Sequence, residues 1–148
     1  LVEPHMTSAH IYMPGQPIGK GRPRFTRMGR VYTPEKTRTF EHKLAAIASN
    51  YMMLHQLEPT TEPCIMIIQA QFEIPKSWTK KKKLAAAMGD INPGKPDIDN
   101  IAKIVLDSFN GVVFEDDAQV VDLSVNKCYG LEPSLTTIVY WGEECLTT

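Results

Sequence analysis

The stretch "KPDIDNIAKIVLDSFNGVVFEDDAQVVDLSVNK", residues 95–127, decides how the chain is read. Its first part has helical periodicity: Ile101, Ile104, Val105 and Phe109 fall on one stripe, the pattern of a helix buried on one side. Asp or Asn caps its start, and the Asn110-Gly111 pair stops it. Asp99, Lys103 and Asp107 follow at steps of four, so they share a second stripe. Asp97 stands just before them. After the apolar "VVF" come Asp116 and Asp117. A strand beginning near Ala118 is expected to bring one of these two back toward the helix start.

The rest of the chain fits around this unit. "AHIYMPGQPI" (9–18) predicts a short strand, and "GKGRPRFTRMGRVYT" (19–33) an exposed loop or hairpin rich in Gly and Arg. "TPEKTRTFEHKLAAIASNYMMLHQL" predicts a helix with Thr33 as N-cap and Pro34 in first position. Its apolar face is Phe40, Leu44, Ile47, Ala48 and Tyr51. "CIMIIQAQFEIP" (64–75) alternates as a strand, with Met66, Ile68, Ala70, Phe72 and Ile74 on one face. "SWTKKKKLAAAMG" (77–89) predicts a short helix capped by Ser77. "AQVVDLSVNKCYG" and "SLTTIVYWG" close the chain as two strands, expected to pair antiparallel over the "LEP" turn. The order is strand, helix, strand, helix, helix, strand, strand, an α+β domain with a mixed sheet.

A length of 148 residues implies one domain, assigned to 7–148. The opening "LVEPHM" (1–6) lacks the layout of a signal peptide and is set aside as an expression-tag remnant. No apolar run reaches the ~18 residues of a membrane span. Cys64, Cys128 and Cys145 are odd in number and widely spaced, which argues against a disulfide framework and fits a reducing cytoplasm. His5, His10, His42 and His55 show no ligand pattern. Walker A, GxGxxG, EF-hand and nucleophile-elbow motifs do not occur.

The net charge of −1 hides an asymmetry. Lys20, Arg22, Arg24, Arg27, Arg30, Lys36, Arg38 and Lys43 face only Glu35 and Glu41 in their segment. Asp90, Asp97, Asp99, Asp107, Glu115, Asp116, Asp117 and Asp122 face only Lys95 and Lys103 in theirs. Both halves have a bland reading as solvated surfaces. A chain that binds a polyanion and a divalent cation has the same layout.

The acidic cluster has two readings. In one, the aspartates cap helices and Lys103 pairs at i,i+4. In the other they hold a metal. Two carboxylates ~4 Å apart repel by about 4 kcal/mol at an effective dielectric of 20, so a converging set calls for protons or a cation. Mg²⁺ takes hard oxygens and keeps positions for water and phosphate. A D-x-D pair, a distant Asp and a lysine suit metal-assisted phosphodiester hydrolysis.

The stretch 95–127 resembles the RusA family of Holliday junction resolvases. The D-x-D-N-x-x-K helix, the further Asp and the D-D-A-Q-V strand entry all occur in register. "GKGRPRFTRMGRVYTPEKTR" is similar to the N-terminal loop of phage and prophage members. "GDINPGKP" departs from the enterobacterial form, where a run of arginines leads into D-x-D; the basic load here lies at 20–43 and 76–83. The resemblance implies a Mg²⁺-dependent homodimeric endonuclease, with Mn²⁺ as substitute, that nicks two strands of a four-way DNA junction. It implies catalytic roles for Asp97, Asp99, Asp117 and Lys103, with Asp97, Asp99 and Asp117 on the metal and Asp116 as a secondary ligand. Lys20, Arg22, Arg24, Arg27 and Arg30 are expected to grip DNA phosphates. Phe25 is expected to anchor that loop in the core; stacking on an exposed base is the alternative. A branched-DNA binder without hydrolysis and a nuclease of broader flap or fork specificity are the competing functions.

Overall fold

A computed structural model describes residues 6–142 of the chain; residues 1–5 of the assigned remnant 1–6, and Cys145, lie outside the described residues. The elements are β1 (Met6–Pro14), β2 (Arg24–Phe25), β3 (Val31–Tyr32), α1 (Glu35–Leu54), β4 (Cys64–Glu73), α2 (Lys80–Ala87), α3 (Ile98–Phe109), β5 (Val120–Gly130) and β6 (Ser134–Gly142). A 3₁₀ turn, Asp117–Gln119, leads into β5. The α+β class holds, and so does the order of the seven larger elements. β1 begins earlier than expected and includes Met6, which pairs with Gly142.

The main sheet has the order β1-β6-β4-β5. β6 runs antiparallel to both β1 and β4, whereas β4 and β5 are parallel. The expected β5–β6 hairpin therefore does not form: β4 lies between the two strands. The short turn at 131–133 misled the reading. Two strand spacings are ~10 Å, and four Cα steps of ~3.8 Å cover that distance. The turn is tied down where it crosses β4. Gln71 Nε2 donates to the Glu132 carbonyl at 2.5 Å, and the Gly15 N–H donates to the Pro133 carbonyl at 3.0 Å. A Cβ at Gly130 would stand 2.2 Å from Gln71 Cδ, so a side chain there would push Gln71 off its bond to Glu132. The parallel β4–β5 pair needs a long crossover, and α2 and α3 supply it.

One face of the sheet carries the core. Ala9, Ile11 and Met13 from β1, Met66, Ile68 and Ala70 from β4, and Leu135 and Val139 from β6 are buried there. They pack with Leu44, Ala48 and Met52 of α1 and with Ile101, Ile104, Val105 and Phe109 of α3. The predicted alternation of β4 is observed from Cys64 to Glu73. Phe40, Ile47 and Tyr51 flank the core half-buried rather than lining its centre.

Two helix starts differ from expectation. Pro34, not Thr33, occupies the N-cap of α1, with no side-chain cap; the Pro34 carbonyl accepts from the Arg38 N–H at 3.0 Å. Thr79, not Ser77, caps α2, its Oγ1 accepting from the Lys82 N–H at 3.2 Å. Ser77 precedes Trp78, whose ring packs edge-on against Tyr129 with centroids 5.4 Å apart. The Trp78 N–H donates to the Pro75 carbonyl at 3.2 Å, so Ser77 lies within a turn ahead of the helix.

Candidate active site

α3 buries its Ile101–Ile104–Val105–Phe109 stripe, and this orientation turns Asp99, Lys103 and Asp107 toward β5. An open cleft of about 670 Å³ lies between the two elements. Asp99, Lys103 and Asp107 line it from α3, Asp117 from the 3₁₀ turn, and Leu123, Ser124 and Val125 from β5. Three of the four residues assigned to catalysis thus share one cleft.

For Asp97, Asp99 and Lys103, neither side-chain capping nor i,i+4 pairing accounts for what is seen. Asp97 occupies the N-cap of α3, but its carboxylate makes no capping bond. Its backbone carbonyl does the capping, accepting from the N–H groups of Asn100 and Ile101 at 3.1 Å each. Lys103 forms no i,i+4 ion pair with Asp99 or Asp107; the ion pairs among the described residues lie elsewhere. Asp99 and Lys103 are exposed and have no hydrogen-bond or ion-pair partner among the described residues.

Asp97 lies outside the lining of the cleft. Lys95 Nζ donates to its Oδ1 at 2.8 Å. That hydrogen bond first, and the Lys95 charge second, hold the carboxyl below the ordinary carboxylate range. The pair is solvent-exposed, so it competes only weakly for the carboxylate. The loop in front of it is fastened by Lys127 of β5, whose Nζ donates to the carbonyls of Gly94 at 2.5 Å and Pro96 at 3.2 Å.

Asp117 is fixed from the far end of the helix. Its N–H donates to Asn110 Oδ1 at 2.8 Å, and Asn110 is the C-cap of α3. The backbone of this acid is thus tied to the helix end, while its side chain lines the cleft that reaches Ile98 and Asp99 at the helix start. Asp116 works as a cap. Its Oδ1 accepts from the Ala118 N–H at 2.9 Å, while Gln119 Oε1 accepts from the Asp116 N–H at 2.9 Å. The Ala118 N–H, and after it a hydrogen bond with the Asp117 carboxyl, lower the Asp116 pKa from its ordinary value. Gln119 Nε2 in turn donates to the carbonyls of Thr60 and Glu62 at 2.8 and 2.9 Å.

Among the described residues no three His, Cys, Asp or Glu side chains stand close enough to form a metal cluster. Asp99 and Asp117 nevertheless offer carboxylate oxygens from two elements to one cleft. That donor set fits Mg²⁺, which typically takes one or two carboxylates and fills its remaining positions with water and phosphate oxygen.

The basic segment forms a two-stranded ribbon, β2–β3, outside the main sheet. Arg22, Arg24, Arg27 and Arg30 are exposed and make no ion pair among the described residues. Lys20 behaves differently. Its Nζ is enclosed between Glu41 of α1 and Asp107 of α3, the latter at 3.2 Å. Its N–H donates to the Asn100 carbonyl at 2.9 Å. Lys20 roots the ribbon beside the cleft. Phe25, expected in the core, is 73% exposed on the ribbon. A two-residue strand paired only with β3, outside the main sheet, holds Phe25 away from the core.

Sequence reasoning missed Asn110 and Lys127 as positioning residues. Asn110 was readable only as a helix stop. Lys127 carried a signal: it stands in register with the buried face of β4, opposite Ala70, where an apolar residue is the rule.

Two comparisons bear on this site. The family model described as Endodeoxyribonuclease RusA matches residues 14–140. A relative, "Uncharacterized protein YqaN" of Bacillus subtilis (strain 168), is 39% identical over 132 residues, covering 84% of this chain and 90% of its own length. The matched region contains the cleft, the ribbon, β4, β5 and most of β6, and the chain belongs to the RusA family of endodeoxyribonucleases.

Proposed function

We propose that this chain resolves four-way DNA junctions by metal-assisted hydrolysis, nicking two strands symmetrically as a homodimer. The observation that carries the reading is the cleft: Asp99, Lys103 and Asp117 line it together, and neither Asp99 nor Lys103 is spent on a structural contact. Family membership supplies the reaction class.

Asp99 and Asp117 would hold Mg²⁺, or Mn²⁺ in its place, and Asp97 would join them on leaving Lys95. A hard cation bound there lowers the pKa of bound water and polarises a phosphoryl oxygen. Lys103, midway along the cleft, places its ammonium against charge developing on the scissile phosphate. Asp116 closes the turn that aims Asp117 through its Oδ1, and as a secondary ligand it would use its other carboxylate oxygen. Asp107 lies against Lys20, which leaves it less available to a cation. Arg22, Arg24, Arg27 and Arg30 contribute phosphate contacts. Two nicks on a nearly two-fold junction need two such clefts, and a C₂ dimer supplies them.

A substrate panel tests the reading. Four-way junction, flap, fork and linear duplex are each incubated with the protein in Mg²⁺ and in EDTA. Paired nicks confined to the junction and lost in EDTA are expected. Equal cutting of flaps and forks would replace it with a broader nuclease, and binding without cutting in Mg²⁺ and Mn²⁺ with a non-catalytic junction binder.

A further inference from the structure

The ribbon carries more apolar surface than a phosphate-gripping arm requires. Phe25, Met28, Val31 and Tyr32 are 73, 95, 56 and 46% exposed, all within eight residues. Single exposed apolar side chains need no explanation, but a cluster on one projecting element marks a contact surface. Phe25 is paired with Val31, and Arg24 with Tyr32. Directly opposite residues share a face, so one face of the ribbon is apolar and the other presents an arginine beside a tyrosine.

The ribbon is built to hold this surface out. Its tip is closed by the Thr26 N–H donating to the Arg30 carbonyl at 2.8 Å and by the Arg30 N–H donating to Thr26 Oγ1 at 3.0 Å. Gly29 takes the left-handed conformation the turn needs, at φ +77°. Its root is fixed by the Gly21 N–H donating to Thr37 Oγ1 at 3.1 Å and by Lys20 between Glu41 and Asp107. Phe25 is five residues from Lys20, at most ~18 Å of chain, and Lys20 contacts a residue of the catalytic cleft.

We infer that the ribbon is a base-stacking wedge, with Phe25 placed against an unstacked nucleobase at the branch point of the DNA. The charge pattern selects this occupant. Residues 19–34 contain four arginines and a lysine and no acid, so what covers the apolar face must be anionic and also present flat apolar surfaces. Unpaired nucleotides do both, and stacking tolerates any sequence because every base has a π-face. A second copy of the ribbon is disfavoured, since pairing two of them would oppose eight arginines. The inference rests on the DNA-junction reading and adds to it the residue that engages an open base.

The test uses 2-aminopurine at the branch point of a four-way junction and, separately, in a single-stranded oligonucleotide. Binding is measured in EDTA so that no strand is cut, with wild type, Phe25→Ala and Phe25→Trp beside a linear duplex. Phe25→Ala is expected to bind the junction about tenfold more weakly, to lose the fluorescence change, and to bind duplex as wild type does. Phe25→Trp is expected to retain both junction properties. An unchanged fluorescence response in Phe25→Ala overturns the inference, whatever the protein cuts. So does conversion of a wild-type dimer to monomer by Phe25→Ala in sedimentation, which would assign the face to a second copy. Wild-type stacking without cleavage in Mg²⁺ would instead defeat the resolvase reading and leave the wedge standing.

Discussion

Lys20 illustrates how one side chain joins the basic ribbon to α3. Its side chain is 17% exposed. Burial, the largest influence, pushes the ammonium pKa down; hydrogen bonds and charges from Glu41 and Asp107 together outweigh it and leave the pKa raised. A group whose pKa is raised by folding stabilises the fold fully below its unfolded value. That contribution is lost as pH rises through the folded value. Lys20→Met is therefore expected to cost about 1 kcal/mol at neutral pH, because this pair is intermediate between exposed and buried. In a domain of this size that is about 4 °C in Tm. The difference between variant and wild type should shrink above the ordinary lysine range of about pH 10.4. A thermal melt series from pH 7 to 11 checks it; a difference independent of pH would assign the loss to packing. At this scale the sequence was legible for residue type and not for partner. Lys20 and Arg22 look alike in a basic loop. Only the fold brings Glu41 and Asp107 to one of them.

At the scale of elements, α3 and the 3₁₀ turn form one unit. The helix sets Asp99 and Lys103 by its own periodicity, whereas Asp117 depends on the Asn110 side chain across the helix end. Removing that hydrogen bond costs about 1 kcal/mol of stability, but it frees the turn that aims a proposed ligand. Asn110→Ala is expected to reduce single-turnover cleavage by about tenfold or more, with junction affinity unchanged. Gel-shift and cleavage assays on one preparation separate the two, and equal rates would remove Asn110 from the positioning of Asp117. The helix was legible because its apolar stripe has the right period over twelve residues. The turn was not, because side-chain capping between non-adjacent elements leaves no periodic trace. Two caps were misplaced by one or two residues: Thr33 has a capping side chain but Pro34 takes the N-cap of α1, and Ser77 and Thr79 both suit the N-cap of α2.

Across the whole molecule, the sheet order explains why an acidic cleft and a basic ribbon lie close together. β4 separates β5 from β6, so α3 crosses over to lie along β5 at one edge of the sheet. β1 leads from the opposite edge into the ribbon root at Lys20, which meets α3 at Asn100 and Asp107. The strands themselves were readable from alternation. Their order was not, because a three-residue turn serves a hairpin or a step across one strand equally well. Family resemblance supplied the candidate site residues, while the structure shows neither side-chain capping by Asp97 nor i,i+4 pairing of Lys103, their bland alternatives. The most direct test of the central claim is single-turnover cleavage of a four-way junction in Mg²⁺ by wild type, Asp99→Asn and Lys103→Met, with junction binding measured in parallel in EDTA. Both variants are expected to lose cleavage by at least a hundredfold. Asp99→Asn should bind the junction as tightly as wild type or more tightly, since a negative charge near phosphate is removed. Cleavage by Asp99→Asn at the wild-type rate would contradict the assignment of this cleft as the active site.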